Sequence, residues 1–360
     1  MNKNILIVCT SLNLGGSEKQ AVWLANRLVK SNYTVFFVSL KDSGVLSKEL
    51  NPKVLVNNFK LGKARNNLSK FYYVLLGLIK LIKLVNTYKI DTMVTVLYHS
   101  NLAGKIIRIF SKHKISHIVT FRSDRLSKRD SKVSLIRTFI FKKFIVDTKT
   151  VVVFNSRSGQ KHMKLKRGSH YIIFNAPLNS ISKREKVHNK FIFIGRLDEL
   201  KNVKSLVCAF NSINKEETIE LDIFGKGPEL PELKRIVSDN KLDNVIHFKD
   251  VDISISNKIN QYQALLLVST HEAFPNVIIE AMNSEVITIS TKVGDVEWIL
   301  DEGRGIIIEG FDEEAILEGL RSFLKLSSEE KMKIQKKAKS FVNNELNEEK
   351  IYEQWLSVIN

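Results

Sequence analysis

The stretch HEAFPNVIIEAM, residues 271–282, follows directly on the apolar run Ala264-Leu265-Leu266-Leu267-Val268. The run reads as a buried strand. Pro275 is favoured at a first helical position, and Val277 to Met282 continue in helix-compatible residues. The segment is therefore a strand, a short loop and the N-terminus of a helix. Backbone N–H groups at such an end have no intrahelical partner and the helix dipole is positive there, so the end attracts an anion such as phosphate. Glu272 falls just before that end, and Glu280 about 7 Å along the helix at about 1.5 Å per residue. Two carboxylates around a phosphate-attracting loop suit a ligand that carries both phosphate and hydroxyls, such as a nucleotide sugar.

Outward from this stretch, strand-like apolar runs alternate with helical segments along the whole chain. The first half holds Ile5–Cys9, Val35–Leu40, Asp91–Leu97, His117–Phe121, Thr150–Phe154 and Tyr171–Asn175. The second holds Phe191–Gly195, Glu220–Phe224, Val245–Phe248, Ala264–Ser269, Val286–Ser290 and Gly305–Ile308. Strands separated by helices imply parallel sheets with right-handed crossovers, and two such series imply an α/β chain of two Rossmann-like domains. The polar, aperiodic stretch Pro177–Lys190 places the boundary, giving domains at 1–178 and 188–346. Residues 347–360 form a last helix with Tyr352 and Trp355.

Charge divides as sharply as pattern does. Residues 1–180 hold 32 Lys and Arg against 7 Asp and Glu, and residues 181–360 hold 24 against 31, so +25 and −7 sum to the net +18. A half so basic expects a polyanionic partner: an anionic membrane, a diphosphate-bearing acceptor or nucleic acid, although a Lys-rich surface alone would give the same excess. Phe71–Leu84 and Leu135–Phe144 are apolar helices studded with Lys and Arg, the composition of interfacial segments. Most of their apolar residues are expected in the core, with basic edges free to meet lipid. The two cysteines, Cys9 and Cys208, lie far apart in apolar elements, the start MNKNILIVCT lacks a signal-peptide layout, and no run reaches membrane-span length. These features predict a cytoplasmic protein, peripheral on the inner face of the plasma membrane.

Four further segments carry chemistry. Ser11 to Glu18 follows the first strand and holds Gly15 and Gly16, whose missing side chains let the backbone approach a ligand. It is not a dinucleotide fingerprint. Phe193-Ile194-Gly195-Arg196, with Lys201 beyond it, ends a strand with two cations, where open α/β sheets bind ligands. Phe224 to Pro228 ends another strand in a turn with Gly225. Leu97 to Gly104 follows a strand and opens a helix with His99 and Asn101, and Arg122 follows the next strand. No Cys/His cluster offers metal-ligand spacing, so neither metal nor cofactor is expected.

In order and spacing these segments resemble the retaining GT-B glycosyltransferases, family four, the glycosyl transferases group 1, whose Glu-x7-Glu signature HEAFPNVIIEAM matches. The resemblance covers nearly the whole chain and is strongest from Phe191 to Glu309. It implies a GT-B fold, two Rossmann-like domains with parallel sheets facing across a cleft, with the last helix packing back on the N-terminal domain and closure over the donor. It implies transfer of a hexose or N-acetylhexosamine from a nucleotide sugar, UDP-linked by expectation, to a glycan or lipid-linked acceptor in surface polysaccharide synthesis, with retention of configuration. In that frame Glu272, His99, Arg196 and Lys201 form the catalytic set, with Glu272 on the donor sugar's hydroxyls and both cations on the diphosphate. Glu280 binds ribose, and Phe274, Pro275, Asn276 and Val277 form the loop at the leaving group. Gly15, Gly16 and Gly225 line the donor, Val251 reads the base, and Arg122 and Asn101 lie on the acceptor side. Asp250 stands where the family usually has Gly, and Asn175-Ala176 where it usually reads Asn-Gly. No enzymic nucleophile is evident, which agrees with a front-face mechanism in which the leaving phosphate assists deprotonation. A GT-B-like sugar-nucleotide epimerase, a non-catalytic sugar-nucleotide binder and a nucleic-acid-binding protein are the competing readings. The last leaves the acidic half with its Glu pair unused, so nucleic acid is not the expected partner.

Overall fold

The computed structural model describes residues 3–41, 44–58, 67–122, 132–178, 187, 189–250, 255 and 257–360. The chain divides into two units, Met1–Asn175 with Glu349–Asn360, and Ala176–Glu348. Among the described residues no helix is long and apolar enough to cross a membrane.

The first unit runs β1 (Asn4–Cys9), α1 (Gly16–Lys30), β2 (Thr34–Ser39), β3 (Leu55–Asn58), α2 (Asn67–Thr87), β4 (Thr92–Val96), α3 (Tyr98–Phe110), β5 (Ser116–Phe121), α4 (Lys132–Ile140), β6 (Thr150–Phe154), α5 (Arg157–Met163) and β7 (Ser169–Ile172). Its described strands form one parallel sheet in the order β3-β2-β1-β4-β5-β6-β7. Strands such as β1 are apolar at nearly every position because both faces of a parallel sheet are covered. Leu6, Val8, Phe36, Leu81, Val85, Met93 and Ile107 make one core cluster, and Phe121, Phe141, Phe154 and Met163 another. Each fully buried aliphatic or aromatic side chain contributes about 1.5–3 kcal/mol. The strand order reverses direction between β1 and β4, so the loops after those strands flank a switch point where such sheets bind ligands. The edge strand β3 had no sequence signal, since Leu55 and Val56 are followed at once by Asn57 and Asn58.

Several polar groups inside this sheet are tied off locally, while His117 Nδ1 and Thr120 Oγ1 are buried without a hydrogen-bond partner. Thr95 Oγ1 donates to Asn101 Oδ1 at 2.7 Å and lies 3.0 Å from His117 Nε2, and Asn101 Nδ2 donates to the Thr120 carbonyl at 3.0 Å. Burial, followed by the charges of Arg108 and Lys105, pushes the His117 imidazole down to about 3, so it is neutral. The terminal helix α12 (Glu348–Ile359) seals the unit. Trp355 is buried, Tyr352 Oη donates to Ser31 Oγ at 2.7 Å, and Lys3 Nζ donates to the Ile359 carbonyl at 3.0 Å.

The second unit runs β8 (Lys190–Ile194), α6 (Val203–Ile213), β9 (Glu220–Phe224), α7 (Leu230–Asp239), β10 (Ile246–Lys249), β11 (Ala264–Leu267), α8 (Asn276–Asn283), β12 (Ile287–Thr291), α9 (Val296–Leu300), β13 (Ile306–Ile308), α10 (Glu313–Leu324) and α11 (Ser328–Glu345). Its described strands are parallel in the order β10-β9-β8-β11-β12-β13, with the reversal between β8 and β11. Phe191, Phe193, Phe210, Ile223, Leu266, Ile289 and Phe323 belong to its core.

The two basic apolar segments depart from expectation. α4 continues into a π-helical turn, Phe141–Ile145, closed by the Val146 N–H on the Phe141 carbonyl at 3.0 Å. Phe141 and Ile145 are buried there, but Leu135, Ile136, Phe139 and Phe144 are exposed, as are Tyr72, Val74, Leu75 and Ile79 of α2. The expectation that most apolar residues of these segments serve the core is therefore corrected. Each segment buries only part of its apolar residues and carries more of them than one buried stripe can hold, so the rest reach the surface.

Candidate functional site

The deciding stretch folds as a strand, a loop and a helix, with one shift. Pro275 is the residue ahead of α8 rather than its first turn, at φ −83° and ψ 99°, and the helix begins at Asn276. No side chain caps this end, and the Ile278 N–H bonds back to the Pro275 carbonyl at 3.1 Å. Phe274 and Pro275 are buried, while Asn276 and Val277 are partly exposed. Glu280, one turn inside the helix, is only 7 % exposed.

Adjacent strands β8 and β11 deliver their loops to the same place. After β8 come Gly195, Arg196, buried Leu197 and Asp198, then a 3-10 turn at Glu199–Lys201. Asn202 sits in the left-handed region at φ 53° and ψ 34°, which turns the chain into α6. The Thr270 N–H, from the loop after β11, donates to the Leu200 carbonyl at 2.9 Å and joins the two loops. Across that joint Lys201 Nζ donates to Glu272 Oε1 in an ion pair shielded from solvent, and Ser269 Oγ donates to the same oxygen at 3.1 Å. The structure thus brings together two predicted residues 71 positions apart in the chain. Ser269 was not foreseen, and its signal was its place at the end of a predicted strand beside a predicted carboxylate.

Glycines set the spacing of these loops. A Cβ on Gly225 would lie 2.2 Å from the Gly195 carbonyl oxygen, and one on Gly227 2.1 Å from that of Leu197, so the turn after β9 packs backbone to backbone on the Arg196 loop. Hydrogen bonds fix the contact, from Gly195 N–H to the Phe224 carbonyl at 3.0 Å and from Leu197 N–H to that of Lys226 at 3.1 Å. Gly294, after β12, has φ +55°, and a Cβ there would lie 2.2 Å from the Glu272 carbonyl oxygen. Asp295 N–H donates to the Ala273 carbonyl at 3.2 Å. Glu272 is therefore held from behind by the Gly294 turn and from the side by Lys201 and Ser269.

Arg196 is placed differently. It is 53 % exposed and pairs with Asp198 on its own loop. Exposed pairs of this kind contribute little to stability, so the guanidinium can exchange partners at small cost. Val251 lies outside the described residues. Among those described, no group of three or more His, Cys, Asp and Glu could hold a metal ion. A groove of about 500 Å³, lined by Trp298, Arg304, Lys337 and Phe341 among others, shares none of the predicted site residues.

In the first unit the predicted residues gather around the β1/β4 switch point. Gly15 precedes α1 with no side-chain cap, and Gly16 begins the helix. Glu18 folds back so closely that a Cβ on Gly15 would fall 2.4 Å from its Oε2. Thr10 Oγ1, from the loop after β1, and Ser100 Oγ, in the first turn of α3, lie 3.3 Å apart. Leu97, ahead of α3, has φ 73° and ψ 159°, a conformation nearly confined to glycine and a local store of strain. His99 is exposed beside Tyr98, with ring centroids 5.7 Å apart. Asn101, 1 % exposed, has its amide bonded to β4 and β5.

Arg122 Nη1 donates to Asn175 Oδ1 at 2.5 Å, while its Nε is buried without a hydrogen-bond partner. Burial pulls its guanidinium down to about 10, against the charge of Glu18. Burial likewise raises the Glu18 carboxyl, and it pushes the Cys9 thiol up to about 12, so that thiol stays protonated. Glu18 and Cys9 are the members of this cluster that the sequence reading did not single out.

Residues 178–341, which hold the β8/β11 site, match the family model described as Glycosyl transferases group 1. The chain is 26 % identical over 179 residues to an N-acetyl-alpha-D-glucosaminyl L-malate synthase of Bacillus anthracis, covering 49 % of this chain and 46 % of that protein, so the match spans less than half of that relative. It is 23 % identical over 348 residues to the N-acetylgalactosamine-N,N'-diacetylbacillosaminyl-diphospho-undecaprenol 4-alpha-N-acetylgalactosaminyltransferase of Campylobacter jejuni, covering 92 % of this chain and 93 % of that one. Among solved structures, HepE of Anabaena in complex with UDP and glucose superposes with a TM-score of 0.82 at 15 % identity, covering 98 % of both chains. The fold is GT-B, and the family match and the relatives' names support a glycosyltransferase.

Proposed function

We propose that this chain is a GT-B glycosyltransferase that moves a hexose or N-acetylhexosamine from a UDP-sugar to a glycan or lipid-linked acceptor, with retention of configuration, in the synthesis of a surface polysaccharide such as a capsule or lipopolysaccharide. The observation that carries the reading is the Lys201–Glu272 pair, joined across the loops after β8 and β11 at the sheet's switch point. The Campylobacter relative's name contains a lipid diphosphate acceptor, and the Anabaena structure holds UDP and glucose.

The chemistry follows from charge. Departure of UDP develops negative charge on its terminal phosphate, and a fixed ammonium beside that phosphate lowers the barrier. Lys201 fills that role, Arg196 joins it by exchanging Asp198 for a phosphate oxygen, and the backbone N–H groups of Asn276 and Val277 add the positive end of α8. Glu272 binds hydroxyls of the donor sugar and Glu280 those of the ribose. With Lys201 already against Glu272, sugar and diphosphate are registered by one pair of side chains. The acceptor oxygen enters on the face that UDP leaves, and the departing phosphate oxygen takes its proton. Acceptor recognition belongs to the first unit, on the side of Arg122 and Asn101.

The test is a panel of nucleotide sugars offered to the intact protein with UDP release as the readout, followed by proton NMR of the product formed before mutarotation. A UDP-sugar is expected to be turned over with its anomeric configuration kept. Inversion would overturn the retaining mechanism, and turnover confined to non-uridine donors would overturn the donor assignment.

A further inference from the structure

We infer that the outer surface of the helical layer α2, α3 and α4 in the first unit is a docking face for an anionic lipid bilayer, with α4 and its π-helical turn as the inserted element. The inference deepens the reading above, because a lipid-linked acceptor would be met at this face.

Topology gathers the helices. The crossovers β3 to β4, β4 to β5 and β5 to β6 all step the same way across the sheet, so right-handed connections put α2, α3 and α4 on one face of it. Contacts run from α2 to α3 and from α3 to the π-helical turn that continues α4. The inner side of α4 is settled, with Ser134, Phe141 and Ile145 buried. Its other side presents Val133 at 57 %, Leu135 at 54 %, Ile136 at 58 %, Phe139 at 63 % and Phe144 at 43 % exposure. Ile109 and Phe110 at the end of α3 are exposed as well, as are Tyr72, Val74, Leu75 and Ile79 on α2. Apolar residues scattered singly need no explanation, but large side chains gathered on neighbouring helices mark an interaction surface.

Charge selects the occupant. Residues 132–146 contain Lys132, Arg137, Lys142 and Lys143 and no Asp or Glu. From residue 50 to 123 the chain has 13 Lys and Arg and a single acidic residue, Asp91. Arg137 is exposed, with its guanidinium 5.6 Å from the centre of the Tyr98 ring, and Lys143 is exposed next to Phe144. Apolar side chains that enter the acyl boundary, flanked by cations at headgroup level, fit an interfacial helix on an anionic leaflet. Nucleic acid would be met by the cations alone and would leave the exposed Leu, Ile and Phe side chains without a role. A second copy of this chain would bring the same positive charge to both sides of the contact.

Flotation of the full chain with phosphatidylcholine vesicles, with and without about 30 % phosphatidylglycerol, tests the inference at low and high salt. Binding is expected to the anionic vesicles, weaker at high salt. The Ile136→Ser and Phe139→Ser variants are each expected to partition at least about tenfold more weakly, with unchanged thermal unfolding and unchanged release of UDP from a soluble donor. Flotation does not depend on transfer, so this inference and the proposed activity can fail separately. Equal binding to both vesicle types, or variants that float like the parent, would overturn it. So would a concentration-dependent dimer abolished by the same substitutions, or tight binding to single-stranded DNA without binding to vesicles.

Discussion

At the scale of single residues, Asp147 gathers a cluster of charged and polar partners outside the site. It receives hydrogen bonds from Lys105, Thr150 and the Lys149 N–H and pairs with Arg108. Burial alone would raise its carboxyl, but these donors together hold it well below the usual carboxylate range. A depressed folded pKa stabilises the protein above the unfolded pKa, and this stability is lost as pH falls below about 4 toward the folded value. Asp147→Asn should therefore lower stability at neutral pH by about 1–3 kcal/mol, because Lys105 and Arg108 are left shielded and unpaired. It should also flatten the acid limb of a stability-against-pH curve measured by urea unfolding. The pair at the site was half legible in the sequence. Glu272 and Lys201 were each readable from strand, loop and helix order, but their direct contact was not, because it depends on β8 and β11 lying side by side across 71 intervening positions.

At the scale of elements, the loops at the sheet edge are held at fixed distances by glycine. Gly294→Ala would put a methyl group against the Glu272 carbonyl in a left-handed backbone that alanine disfavours. A cost of about 1–3 kcal/mol follows, with a fall of about 10- to 100-fold in kcat/KM as Glu272 is displaced. Gly303→Ala provides the control, since its φ is +73° but a Cβ would meet only Lys337 Nζ at 3.6 Å. It should lose stability without losing kcat/KM, and steady-state kinetics beside thermal unfolding separate the two. Most strands were legible because parallel strands buried on both faces are continuous apolar runs. The exceptions are edge elements: β3 is short and half polar, and β7 was expected at Tyr171–Asn175 but occupies Ser169–Ile172. The exposed stripe of α4 was misread because an apolar helix has the same composition whether protein or lipid covers it.

At the scale of the whole molecule, charge and chemistry are divided between the two halves of the chain. The acidic half carries the Glu pair, the loops after β8 and β11 and the family match, and the basic half carries the strained Leu97 turn, the Arg122–Glu18–Cys9 cluster and the apolar helical layer. That division was readable from composition alone, whereas the GT-B assignment needed the order of motifs as well. In the proposed reaction the Lys201–Glu272 pair receives a nucleotide sugar and stabilises its leaving diphosphate. Turnover of the best UDP-sugar, measured for Lys201→Ala, Glu272→Ala and the double variant well below their unfolding temperatures, tests it most directly. Each single variant is predicted to lose about 10²–10³-fold in kcat, with the double variant little worse than either. Folded single variants that both turn over within about threefold of the parent would contradict it.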